Sequence, residues 1–289
     1  MRRPRALGRP PSTVKYVLKV SYDGSSYFGF QKQPHHPTVQ QELERALGKL
    51  FDEEIHLVYA GRTDTGVHGL GQVAAFEHPR VLPARALVEG VNCSLTDSVT
   101  VLEAAVLPDG HGFHPRYSAL SRTYEYRLLC EADPADRVLW SSRAWCLAGR
   151  PDLELLREAA GLLVGEHDFR TFTSRADEPH YRREVFSVEV VERGEPRSLV
   201  LTITANAFLR KMVRLLVAGL VEVGLGLSSR GQLLQRLEKA DPDWGPHPAP
   251  AQGLYFRSVQ YHPDPFREIA QERYKARSHP GIRVKRLPE

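Results

Sequence analysis

At 289 residues, 42% hydrophobic and 26% charged, the chain has the make-up of an ordinary soluble globular protein with core enough for about two domains, which excludes a wholly disordered chain. No apolar run approaches the ~20 residues that cross a bilayer, so no membrane partner is expected. The net charge of +4 sits in the ends, because residues 1–13 carry +4, residues 264–289 carry +3 and the segment between them sums to −3; basicity of the whole chain is therefore weak evidence for a polyanion-binding core.

The opening, MRRPRALGRPPST, lacks the apolar stretch of a secretory signal and reads as a basic tail; it shares its arginines and lack of acids with organellar transit peptides, but its prolines and brevity do not. Val14 to Tyr22 alternates as a half-buried strand, and YDGSSYFGFQKQ breaks into a loop. Thr38 followed by Gln41 forms a capping box for a helix with Val39, Leu43, Ala46, Leu47 and Leu50 on one stripe. IHLVYA (55–60) reads as a strand running into GRTDTGVHG (61–69), and QVAAFE (72–77) as a strand leaving it. Pro83 to Val91 reads as a helix, Val99 to Leu107 as a strand, and Ser121 to Leu129 as a strand with Tyr124, Tyr126 and Leu128 on one face. A helix over 153–165 follows, then a strand pair, REVFSVEVVE and SLVLTITA, joined by RGEPR. The longest helix is expected over Ala207–Gly224, with a short one over 232–239, a proline-rich loop, and a last strand in GLYFRSVQY. This irregular interleaving predicts an α+β fold with mixed or antiparallel sheets: a basic tail over 1–13, an N-terminal domain over 14–107, a C-terminal domain over 108–263 and a basic tail over 264–289. The three cysteines, Cys93, Cys130 and Cys146, are odd in number and lack CxxC spacing, which points away from disulfides and zinc ribbons and toward a reducing, cytoplasmic setting.

GRTDTGVHG places the carboxylate of Asp64 on a glycine-rich loop between two strands, where catalytic groups are often displayed. Read locally, Asp64 is as well explained by a turn that caps backbone amides. An aspartic protease needs a second carboxylate to share a proton, and no second DTG or DSG occurs. Phosphate binding is disfavoured by the carboxylate itself and by the absence of a P-loop Lys-Ser/Thr or a GxGxxG spacing. His111 and His114 are spaced i, i+3 but have no further ligands nearby, so no metal site is expected.

A fourth reading comes from resemblance. GRTDTGVHGLGQVAAFE resembles the signature of the TruA family of tRNA pseudouridine synthases, usually GRTDAGVHA before a GQV-type strand. YDGSSYFGFQ, GFHPRYSALSRTYEYRL, GEHDFRTF, NAFLRKMVRLLVAG and AQGLYF resemble the family's remaining landmarks in their order, over nearly all of residues 14–263. Thr65, Phe30 and Pro115 depart from the family's alanine, tryptophan and alanine.

The resemblance implies a pseudouridine synthase fold of two RRM-like, ferredoxin-like halves sharing a central, mainly antiparallel sheet flanked by helices. It implies an isomerase that acts on tRNA at positions 38–40 of the anticodon arm, as a homodimer and without a cofactor. Asp64 becomes the essential carboxylate, Arg62 the residue that enters the RNA stack during base flipping, Tyr124 the ring against the target uracil, Arg214 the partner that keeps Asp64 ionised, and Leu254 packing under the base. RNA contacts are expected from Lys32, from Phe113, His114 and Arg116 in FHPRY, and from Arg175, Arg182 and Arg183. A non-catalytic RNA-binding or tRNA-folding factor is the competing expectation, though binding alone has no use for an aspartate that repels phosphate.

Overall fold

The computed structural model describes residues 13–174, 180–193, 198–239 and 247–275. In chain order the elements are β1 (Val14–Tyr22), α1 (Val39–Phe51), β2 (Val58–Tyr59), β3 (His68–His78), α2 (Ala84–Asn92) and β4 (Val99–Leu107), then β5 (Ala119–Leu129), α3 (Pro134–Trp140), β6 (Trp145–Cys146), α4 (Leu153–Gly161) and β7 (Gly165–Asp168). They continue with β8 (Arg182–Arg193), β9 (Ser198–Ala205), α5 (Met212–Gly224), α6 (Arg230–Glu238), β10 (Leu254–Tyr261) and β11 (Glu272–Lys275). All strands join one sheet, in the order β11-β4-β1-β3-β10-β5-β9-β8-β7, with β2 on β3 and β6 on β5.

The sheet is a plan used twice. The run β1-α1-β2-β3-α2-β4 is a βαββαβ unit with spatial order 4-1-3-2, and β5-α4-β8-β9-α5-β10 repeats both the connectivity and the order. Within each unit the main pairings are antiparallel, whereas the seam between them, β3 with β10, is parallel and only two residue pairs long, Tyr255 with His68 and Phe256 with Gly69. The α+β fold with a mixed, mainly antiparallel sheet expected from the sequence is the fold observed.

Period-two alternation makes β1: Tyr16, Leu18, Val20 and Tyr22 face α1 and α2 in one apolar cluster with Phe51, Phe76 and Leu87. The helix α1 starts as its sequence dictates, with the Thr38 hydroxyl accepting from Gln41 N and the Gln41 side chain accepting from Thr38 N. A second cluster packs α4, α5 and α6 on β5 and β9 through Tyr126, Leu128, Leu156, Leu201, Ile203 and Leu216.

Several boundaries differ from the expectation. The helix expected from Ala207 starts at Met212, because the Asn206 side chain accepts from Glu184 N and Ala207 N and Lys211 adopts a left-handed φ of 61°. The strand expected over 55–60 is only Val58–Tyr59, while β3 begins at His68, inside the GRTDTGVHG stretch. Helix α4 stops at Gly161, beyond which the amides of Leu162, Leu163 and Val164 bond to carbonyls three residues back, and Gly165, with φ +110°, opens β7. Residues 265–275, assigned to the C-terminal tail from sequence, form a π-helical turn with Phe266 buried, and then β11 on the edge of β4. The expected RGEPR turn at 193–197 lies largely outside the described residues, as do residues 1–12 and 276–289 of the basic ends.

Candidate active site

Because β3 and β10 run parallel, the loops that lead into them, 61–67 and 247–253, arrive at the same edge of the sheet. The first of these is built tightly. Gln72 donates to Gly61 O at 2.8 Å, Phe30 N to Thr63 O at 3.3 Å, Gly66 N to Tyr27 O at 3.3 Å, and the Thr63 and Tyr22 hydroxyls bond at 2.9 Å. Gly29 is required where it lies: its φ is +89°, and a Cβ there would come 2.4 Å from Thr63 O. Gly61 lies flat against the Phe256 ring, which a Cβ would approach to 3.0 Å.

On this fixed loop Asp64 keeps about a third of its side chain exposed, with Oδ2 3.2 Å from an Arg214 Nη1 that is 14% exposed. Arg214 lies in the first turn of α5, and its Nε donates to Ala249 O at 2.6 Å while Ala249 N donates back to Arg214 O at 3.1 Å. The loop before β10 thus aims the guanidinium, and the guanidinium joins that loop to the one carrying Asp64.

The wall of the site is aromatic. Tyr124 on β5 meets Phe208 edge-on at 5.1 Å and Phe256 edge-on at 5.0 Å. Burial foremost, with the Asp64 carboxylate nearby, pushes its phenol above the ordinary range, so Tyr124 stays a neutral hydroxyl. Leu254 is buried on β10 in register with Tyr126, whose hydroxyl donates to Pro250 O at 2.8 Å.

The remaining expected residues are placed unevenly. Arg62 is exposed two residues from Asp64, and its guanidinium makes no hydrogen bond or ion pair with any described residue. Phe113 is buried edge-on to Tyr261 at 5.0 Å and is core. His114 is half-buried and Arg116 exposed on the turn that Phe113 anchors. Lys32 instead spends its charge internally, 3.3 Å from the buried Glu44 carboxylate. Arg182 pairs with Glu166 at 2.6 Å, and Arg183 donates to the carbonyls of His180 and Arg182; Arg175 lies outside the described residues.

Sequence reasoning missed Tyr22, Thr63, Phe208, Phe256, Asp23 and His68. Phe208 falls inside the helix expected over Ala207–Gly224, yet it precedes α5, which starts at Met212. His68 is 3% exposed; its Nδ1 lies 3.2 Å from Gly24 N and 3.3 Å from Asp23 Oδ1, its Nε2 lies 3.0 Å from Ser142 O, and its ring stacks on Tyr255 at 4.6 Å. The imidazole beside it, followed by the Ser25 donors, holds the Asp23 carboxyl well below the usual carboxylate range.

A two-repeat sheet with an aspartate-arginine pair and a buried tyrosine at its seam defines a class that comparison with known proteins makes specific. The family model described as tRNA pseudouridine synthase matches residues 19–118 and 159–262. A tRNA pseudouridine synthase A of Methylacidiphilum infernorum is 40% identical over 256 residues, covering 88% of this chain and 98% of its own. That of Syntrophotalea carbinolica is 40% identical over 247 residues, covering 85% and 96%. Among solved structures, a chain from a Cbf5-Nop10-Gar1 complex is 14% identical with a TM-score of 0.32, covering 71% of this chain and 45% of that one, a likeness too slight to add to the assignment. The chain belongs to the tRNA pseudouridine synthase family. It is therefore an enzyme, an isomerase whose substrate is tRNA, and no helix among its described residues is long and apolar enough to cross a membrane.

Proposed function

We propose that the enzyme isomerises uridine at positions 38–40 of the tRNA anticodon arm with Asp64 as the essential carboxylate. The observation that carries this is the Asp64–Arg214 pair, 3.2 Å apart at the edge of the sheet where the loops leading into β3 and β10 meet. Pseudouridylation breaks the bond between ribose C1′ and uracil N1, turns the base, and rejoins C1′ to C5, whose proton leaves. Atoms and oxidation state are conserved, so the reaction calls for no cofactor.

Each neighbour has a part in that sequence. Arg214 orients the Asp64 carboxylate through its contact with Oδ2, while the one third of Asp64 left open admits a ribose or base. Tyr124, neutral and held between two rings, offers a flat face and a hydroxyl to a flipped uracil. Arg62, exposed and unpaired among the described residues, is free to fill the gap that flipping leaves in the stack, which offsets part of a cost of a few kcal/mol. The same reading has the enzyme work in the cytoplasm as a homodimer, and divides the chain at about residue 108. The two apolar clusters support that division, one built wholly from residues 16–106 and the other mostly from later ones.

The test is tritium release from tRNA labelled at uracil C5, without added cofactor. Wild type is expected to release tritium and Asp64→Asn to release none while binding tRNA within a few fold of wild type. Product from Asp64→Asn would remove Asp64 from its role. Release from tRNAs whose uridines at 38–40 are all replaced would remove the positional assignment.

A further inference from the structure

The turn 113–118 displays an aromatic side chain that the reaction as described does not use. Tyr117 is 78% exposed, among the most exposed large hydrophobic side chains described. A single exposed ring on a protein surface is ordinary. What sets this one apart is the rigidity of its support and the company it keeps.

The turn is pinned from four sides. Lys15 Nζ donates to His111 O at 2.9 Å and to Phe113 O at 2.7 Å; the Tyr261 hydroxyl donates to Pro115 O at 2.9 Å; His114 N donates to the Ser118 hydroxyl at 3.0 Å and Ser118 N to His114 O at 2.9 Å; and Arg122 donates to Arg116 O. His114 Nδ1 accepts from Arg116 N at 3.1 Å and lies 3.4 Å from Tyr117 N, which leaves the ring's remaining proton on Nε2. The His114 ring lies against Tyr117 at 4.5 Å, and the Arg116 guanidinium lies 6.0 Å from the Tyr117 centroid. One face of Tyr117 is thus backed by imidazole, a cation stands beside it, and the rest is open.

This turn is also coupled to the site. Arg122 precedes Tyr124 by two residues on β5, so the two share a face about 7 Å apart. The guanidinium that holds Arg116 O also donates to Asn206 O at 2.8 Å, at the start of the segment that brings Phe208 against Tyr124. An open ring with a cation at its edge, held on a stiff turn, is the arrangement by which proteins hold an unpaired nucleobase and its phosphate.

We infer that Tyr117 is a stacking platform for an unpaired base of the tRNA other than the uridine being modified, with Arg116 on the adjoining phosphate. The inference rests on tRNA being the substrate; the role proposed for Asp64 enters only in the choice of background for its test.

Its test is equilibrium binding of tRNA measured in the Asp64→Asn background, where turnover does not enter. Stacking on one side chain is worth ~1–3 kcal/mol per base, so Tyr117→Ala should weaken binding roughly 5- to 150-fold, and Tyr117→Phe should stay within about twofold of the parent. Stacking releases no counterions, so the slope of log K against log salt should be unchanged in Tyr117→Ala and shallower in Arg116→Ala by about one phosphate contact. A melting temperature unchanged in Tyr117→Ala is expected of so exposed a side chain. Binding by Tyr117→Ala within twofold of the parent would overturn the proposal, as would a loss that Phe fails to restore. A changed sedimentation coefficient with unchanged tRNA affinity would also overturn it, and would assign the ring to a contact between protein copies.

Discussion

The second helix of each repeat carries an arginine in its first turn, and the two arginines have opposite fates. In α2 Arg85 is 70% exposed and pairs at 2.9 Å with Glu89 of its own helix, itself 46% exposed. In α5 Arg214 is 14% exposed and pairs at 3.2 Å with Asp64, 150 residues away and in the other repeat. The helices differ accordingly: α2 buries only Ala84, Leu87, Val88 and Val91, while α5 buries eleven of its thirteen residues. Helix α2 lies over one unit and leaves a wet face on which an i, i+4 pair contributes little. Helix α5 is closed in by α4 and by the loop before β10, and a guanidinium buried there without a partner would leave an uncompensated charge. The lesson is that the repeat supplies the slot and burial decides whether an arginine in it becomes a surface decoration or part of a site.

The sharpest way to break that comparison is to remove both arginines. Arg214→Ala should lower turnover by about a hundredfold, because Asp64 loses the group that orients it. It should also cost about 1–3 kcal/mol of stability by leaving Ala249 O and Asp64 short of a donor. Arg85→Ala should stay within about 0.5 kcal/mol and leave turnover unchanged. Arg214→Lys keeps a charge but cannot serve both Ala249 O and Asp64 from a planar fork, so its turnover should fall between the two. Thermal melts and steady-state kinetics on the three variants decide it, and equal losses in Arg85→Ala and Arg214→Ala would undo the argument.

This contrast also marks how far the sequence could be read. Elements with their own periodicity were legible to the residue: β1 and β4 have the expected ends, and the Thr38–Gln41 box opens α1 as its spacing predicts. Strands that exist only because a partner passes by were not. β6 and β7 span two and four residues, and β11 pairs with β4 from a segment rich in charge. The α5 boundary failed for a similar reason, since the side chain that holds 206–211 out of the helix acts on Glu184, far back in the chain. Within the site, Asp64 and Arg214 were named through resemblance, but no local pattern relates residues 64 and 214, or brings both Phe208 and Phe256 against Tyr124. Those relations live in the parallel seam, which two residue pairs create.

A smaller effect sharpens the comparison on the backbone. Gly29 and Gly110 both have positive φ, +89° and +71°, but a Cβ on Gly29 would sit 2.4 Å from Thr63 O whereas one on Gly110 would meet nothing within 4 Å. Gly110→Ala should cost only the left-handed penalty, about 1–2 kcal/mol, with turnover intact. Gly29→Ala adds a displacement of the loop that holds Asp64, so it should cost more and reduce kcat as well. Matching kinetics in the two variants would show that the 61–67 loop does not depend on its close packing against Gly29.

The smallest expected effect concerns acid. Asp23 lies where the repeats meet, its Oδ1 3.3 Å from His68 and its Oδ2 3.3 Å from Arg143, with Ser25 N donating to it at 3.0 Å. These contacts, the bond to His68 foremost, depress its folded-state pKa, so below the ordinary carboxylate value of about 3.9 the unfolded chain binds more protons than the folded one. The stability Asp23 contributes is therefore complete above that value and is lost as pH falls through it toward the folded pKa. Asp23→Asn should leave a melting temperature that depends less on pH between about 5 and 3 than wild type does. An unchanged slope in Asp23→Asn would mean that the seam draws nothing from this carboxylate, and that His68 is held in place by Gly24 N, Ser142 O and the Tyr255 ring alone.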